Sequence, residues 1–203
     1  MPQVFTDPKE MKQDFSFLAN SQKNKEMFKY MQSNAKVTET GSMVIPAGCQ
    51  LVREEVEGKG FNLALILSSE EVVLYYCRVV HVEDTELGIR GVTQSLVWRN
   101  RMKPAYKKAT QDFVAEVFNK YLIEQYTVIV SDVYHSYGGM FMWQEQLSLA
   151  IERLDREVYI YDQMKATMEL INKQGFNSFI DSLWSEDESK LNIRALIKKC
   201  GVS

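Results

Sequence analysis

The sequence predicts an α+β (mixed α/β) chain: a central, mostly antiparallel sheet flanked by helices, with a helical C-terminal extension. Three observations carry this. Between about residues 36 and 99, short runs rich in β-branched and aromatic residues alternate with turn clusters. Beyond them, apolar residues recur at helical spacing over 104–123 and 138–154. Two strand-like runs, YTVIVSD (126–132) and VYIYD (158–162), are interleaved with those helices.

Taken in order, the first 35 residues predict an amphipathic helix carrying Phe15, Leu18, Met27, Phe28 and Met31, with Asp7-Pro8 as its start signal. The meander follows as SMVIP (42–46), CQLVREEV (49–56), FNLALILS (61–68), VVLYYCRVVHV (72–82) and GVTQSLVWR (91–99). Glu57-Gly58-Lys59-Gly60 and Ser68-Ser69-Glu70-Glu71 supply turn chemistry between strands. The helix over 104–123 has one wide apolar face bearing Phe113, Val117, Phe118, Tyr121 and Leu122. The next helix carries Trp143, Leu147, Ala150, Ile151 and Leu154 on one stripe. Residues 163–203 read as two or three short helices, broken near Gly175 and at SEDES (185–189), packed on the domain formed by residues 1–162.

Composition narrows the function classes. The 203 residues hold 24 Lys+Arg against 27 Asp+Glu, a formal net charge of −3, which disfavours a general nucleic-acid binder. The start of the chain lacks a basic stretch followed by an apolar run, so no signal peptide is expected. The longest apolar runs fall well short of the roughly 20 residues of a membrane span. Three scattered cysteines and no secretion signal point to reduced thiols and a cytoplasmic location. With two histidines and no CxxC or HxxxH pairing, no metal site is expected.

The charge is unevenly distributed. Residues 89–108 contain six basic residues (Arg90, Arg99, Arg101, Lys103, Lys107, Lys108) and no acidic one, whereas 53–88 hold eight acids and three bases. This island falls where a strand gives way to a helix, a setting suited to an anion. A solvated edge is the alternative.

The run from 91 to 162 resembles the second half of the GNAT superfamily of acyl-CoA-dependent N-acyltransferases. There a splayed strand leads into a pyrophosphate-binding turn and a long helix, followed by a strand, a helix and a final strand. The segments that match are GVTQSLVWRNRMKPAYKKATQDFVAEVFNKYL, YTVIVSD, GGMFMWQEQLSLAIERL and REVYIYD. VSDVYHSYGGMFMW followed by EVYIYD is similar to acetyltransferase-like proteins encoded by bacteriophages, which would place the chain in a host cytoplasm. The family's phosphate turn, Q/R-x-x-G-x-G/A, is replaced here by RNRMKPAY, which has no glycine and in which Pro104 lacks a backbone donor.

The resemblance implies acetyl-CoA or coenzyme A as cofactor, with Val97, Trp98 and Arg99 along the pantetheine and thioester, and with Arg101, Lys103 and Tyr106 at the phosphate turn. It implies an acid for the leaving thiolate after the strand ending at Asp132. Tyr134 and Tyr137 are the candidates, with His135 between them and Asp132 orienting the histidine or the amine. The partner would be an amine acceptor, or a host bacterial enzyme if the chain is a non-catalytic interaction protein. A second copy of the chain is a further partner that the exposed helix faces could take. Residues 152–189 hold nine acids and four bases, suiting a basic partner or plain solubility.

Overall fold

Residues 17–84, 89–130, 137–162, 164–183 and 193–201 are described in a computed structural model of the chain. Two compact units emerge: Met1–His81 with Gln94–Leu122, and Val82–Thr93 with Ile123–Ser203. The expected mixed α+β class with a mostly antiparallel sheet is observed.

The first unit is built on a meander. Strands β1 (Lys36–Val37), β2 (Cys49–Val56), β3 (Gly60–Leu67) and β4 (Val72–Asp84, through His81 in this unit) pair antiparallel in sequence order. Residues 42–46, expected as a strand, are irregular: Gly41 takes a left-handed φ of 55°, Met43 N–H closes a turn on Thr40, and Val44 N–H is held by the Glu116 carboxylate. β3 is buried on both faces. Ala64 and Ile66 meet Phe28 and Met31 of α1 (Ser21–Asn34), while Phe61, on the opposite face, stacks edge-on against Tyr121. Helix α1 is capped by Asn20, whose side chain accepts from Lys23 N–H. The start signal at Asp7-Pro8 and the apolar Phe15 lie outside the described residues.

β4 carries a bulge that organises this unit. Leu65 sits opposite Tyr75 but Ile66 sits opposite Val73, so Leu74 is one residue too many. A bulge leaves backbone groups without ladder partners, and two buried asparagines satisfy them. The Asn24 amide accepts from Val73 N–H at 2.9 Å and donates to Val73 C=O at 3.1 Å and to Leu18 C=O at 3.2 Å. Asn100 donates its backbone N–H to Leu74 C=O at 2.7 Å and its side-chain amide to Val73 C=O at 3.1 Å.

The single helix expected over 104–123 is broken into α2 (Pro104–Ala109), α3 (Phe113–Val117), a π turn (Phe118–Leu122) and α4 (Ile123–Gln125). The Thr110 hydroxyl bonds back to Tyr106 C=O, and the Arg99 guanidinium donates to the Thr110 and Gln111 carbonyls at 3.3 and 3.0 Å. A side chain from β5 (Ile89–Arg99) thus caps carbonyls that a continuous helix would have paired internally.

In the second unit, Ile89–Thr93 of β5 pairs parallel with β6 (Val128–Val130) through Val92 and Val128. Gly91 permits this approach, because a Cβ there would lie 2.5 Å from Thr127 O. Strand β9 (Ile193–Lys199) lies between β6 and β7 (Arg156–Asp162), antiparallel to both, and β8 (Thr167–Leu170) flanks β7 on its other side. The C-terminal segment is therefore not helical as expected. It contributes two strands around one helix, α6 (Lys173–Leu183), because the buried run IRALIKK fills a slot between strands that local pattern does not reveal. Gly175 does not break that helix: it sits in the first turn, where Asn172 Oδ1 accepts its N–H. SEDES lies outside the described residues. Helix α5 (Tyr137–Ile151) buries Trp143, Leu147 and Ala150, whereas Leu154 lies beyond it and is fully exposed. Arg156, its side chain buried, is met by Glu124 at 2.6 Å, and Lys199 reaches the other oxygen of the same carboxylate at 2.5 Å.

Replacing Asn24 by Ala leaves Val73 N–H buried and unpaired, so a loss of about 3 kcal/mol in chemical denaturation is expected. Gly91→Ala pushes a methyl against Thr127 C=O. A loss of about 1–3 kcal/mol, read as a lower denaturation midpoint, is expected.

Candidate functional site

The basic stretch after β5 is held by its backbone. Asn100 is completely buried, and its side-chain oxygen also accepts Met102 N–H at 3.0 Å. Arg99 and Arg101 therefore flank a fixed point. Trp98, half-buried, packs on the cluster formed by Leu18, Phe28, Met31, Val52 and Tyr76, and Val97 is half-buried as well.

The basic side chains have different fates. Arg99 caps the broken helix as described. Burial, and next the charge of Arg101, push its pKa down, though an arginine stays protonated throughout the working range. Lys103 donates to Glu70 Oε2 at 2.6 Å and lies 4.9 Å from the centre of the Tyr106 ring, and Tyr106 OH donates to the same Glu70 oxygen at 2.5 Å. Two of the residues expected at a phosphate turn are thus tied to a carboxylate from the turn before β4. Arg101, Lys107 and Lys108 are exposed and make no ion pair among the described residues. Their like charges remain a place where an anion lowers the energy.

Two backbone positions are withdrawn from such an anion. Met102 N–H is taken by Asn100, and position 104 is a proline. α2 is a six-residue helix with no side-chain cap.

The expected catalytic residues Asp132, Tyr134 and His135 lie outside the described residues. The backbone of Tyr137 opens α5, and its side chain is not described. Glu70, Asn24 and Asn100 organise the basic turn, and sequence reasoning missed them. Glu70 read as turn chemistry, and neither asparagine was singled out. A signal did exist, since Asn24 falls among Met27, Phe28 and Met31 on the apolar face of its helix.

Cys77 lies at the buried centre of β4, and burial drives its thiol up to about 12, which removes it as a nucleophile. No described group of three His, Cys, Asp or Glu side chains is placed to hold a metal ion. No described helix is long and apolar enough to cross a membrane. Comparison with protein-family models, curated proteins and solved structures finds no match to this chain.

The Lys103 hydrogen bond, and after it that of Tyr106, hold the Glu70 carboxyl below its ordinary value. A depressed folded-state value means that the pair's contribution is present above the unfolded carboxylate pKa and is lost as pH falls through the folded one. NMR titration of Glu70 is expected to give a midpoint below that of a free glutamate, rising towards it in Lys103→Met.

Proposed function

We propose that the chain is an acetyltransferase-like protein that transfers an acyl group from acetyl-CoA to an amine of a small molecule, a protein or a nucleobase. The observation that carries this reading is the basic turn at the end of β5, fixed by Asn100, with Arg101, Lys107 and Lys108 exposed and unpaired among the described residues. The order of elements supports it. A strand with a parallel partner leads into a basic turn and helical segments, and then into a strand, a helix and a strand, as in the family the sequence resembles.

The donor set suits the diphosphate of coenzyme A through side chains: Arg101 as the main anchor, with Lys107 and Lys108 adding charge. The bound cofactor would supply the activated thioester. Arg99 and Asn100 keep the turn in place, and Lys103 contributes less because Glu70 already neutralises it.

A second reading has its own support. Lys103 and Tyr106 are engaged by Glu70, and Met102 N–H by Asn100, which removes groups a cofactor would otherwise use. In this reading the chain is an interaction protein that binds a partner, such as a host bacterial enzyme, without catalysis.

Calorimetry with acetyl-CoA and CoA separates the two. Saturable binding with a rise in melting temperature is expected, weakened at least about tenfold by Arg101→Ala and less by Lys103→Ala. No heat and no shift in melting temperature at millimolar acyl-CoA overturns the enzyme reading and leaves the interaction protein.

A further inference from the structure

The outer edge of the second unit's sheet has a side that the acyl-transfer reading does not use. β8 flanks β7, and among the described residues no strand pairs with its other side. All four of its residues are exposed, Met168 at 48% and Leu170 at 59%, and Met164 in the preceding turn at 77%.

The register fixes which backbone groups face outward. In an antiparallel ladder, opposed pairs alternate between hydrogen-bonded and non-bonded. Ile171 N–H donates to Val158 C=O at 2.9 Å, one step beyond the Tyr159–Leu170 pair. Ile160–Glu169 and Asp162–Thr167 are then the bonded pairs, and Met168 and Leu170 turn their N–H and C=O away from β7. The other side of β7 gives the same phase. Cys200 N–H donates to Asp155 C=O at 3.0 Å, so Tyr159 and Tyr161 bond towards β9 and not towards β8. The open edge therefore offers two N–H and two C=O groups. It also presents an apolar face, Met168 and Leu170 beside Tyr161 and Tyr159, while Glu169 points to the opposite face.

Natural edges are usually blunted by charge, proline or a bulge. β8 is only four residues long, and Glu169 is its one charged side chain, which decides between occupants. A second copy of β8, related by a two-fold axis, uses all four open groups only when centred on Glu169, with Met168 opposite Leu170 of the other copy. Centring on Met168 brings in Ala166, which has a positive φ of 49°. Centring on Leu170 brings in Asn172, which already caps α6. The productive symmetric register thus sets two glutamates directly opposite each other, which is destabilising. A hetero-partner with a cation at that position turns the repulsion into attraction.

We propose that β8 is a docking edge for an extended segment of a partner protein, added antiparallel to the sheet. The segment carries a lysine or arginine opposite Glu169, flanked by apolar residues opposite Met168 and Leu170.

The test uses the full chain and two blocked pentapeptides, threonine-valine-lysine-valine-threonine and its counterpart with a central glutamate. Followed by backbone amide NMR, the lysine peptide is expected to shift the Met168 and Leu170 amides and slow their hydrogen exchange. It should bind about fivefold more tightly than the glutamate peptide, the scale of one cross-strand charge pair. Glu169→Lys, a change at an exposed position, should invert that preference. Leu170→Pro removes an outward donor without touching the β7 ladder and should weaken both peptides. Unmoved Met168 and Leu170 amides at millimolar peptide, or a lysine preference that survives Glu169→Lys, overturns the proposal. So does concentration-dependent dimerisation that protects these same amides without peptide, which would make a second copy the occupant.

Discussion

The first unit depends on how Val73 and Leu74 are satisfied. A bulge near the start of a strand buried on both faces exposes peptide groups to an interior that cannot hydrate them, at a cost of several kcal/mol if unmet. Asn24 meets Val73 as another strand would, with one donor and one acceptor on the same amide. Asn100 completes the arrangement from the end of β5. One cluster therefore docks α1 on the sheet, fixes the bulge, and sets where the basic turn begins. The positions of Arg99 and Arg101 rest on that placement.

The same economy of charge recurs across the molecule. Lys103 answers Glu70, Arg156 and Lys199 share Glu124, and Lys25 pairs with Glu71. Internal pairing divides a basic stretch that looks uniform along the chain into side chains that hold structure and side chains that face solvent. The latter are the ones left with their full charge for an external anion. The acidic C-terminal third divides in the same way: Asp155 and Asp162 have basic partners nearby, whereas Glu169 stands on an open strand edge.

Where period and turn chemistry decide, the sequence reading matches the structure closely. β2 falls on CQLVREEV as expected, and β3, β4, β5 and β7 follow their β-branched and aromatic runs within a few residues. The misses have physical causes. SMVIP has strand composition, yet Gly41 and Pro46 favour turns, and no ladder recruits it. The helix over 104–123 has a continuous apolar face, but its break is stabilised by an arginine from a strand. IRALIKK is too short to be told from a buried helix by pattern, and its place between β6 and β7 is a long-range fact.

By itself, the sequence determined the α+β class, the meander, the helix faces and the acid-free basic stretch, because these follow from local period, turn residues and formal charge. The tertiary structure decided which cations are already neutralised, which asparagines hold the bulge, and where the last strand inserts. It also decided which edge stays open at Glu169. Each of these depends on residues far apart in the chain meeting in space, and no local pattern encodes that meeting. At the end of β5, Arg101, Lys107 and Lys108 are the cations left for an external anion, because the Thr110 and Gln111 carbonyls hold Arg99 and Glu70 holds Lys103.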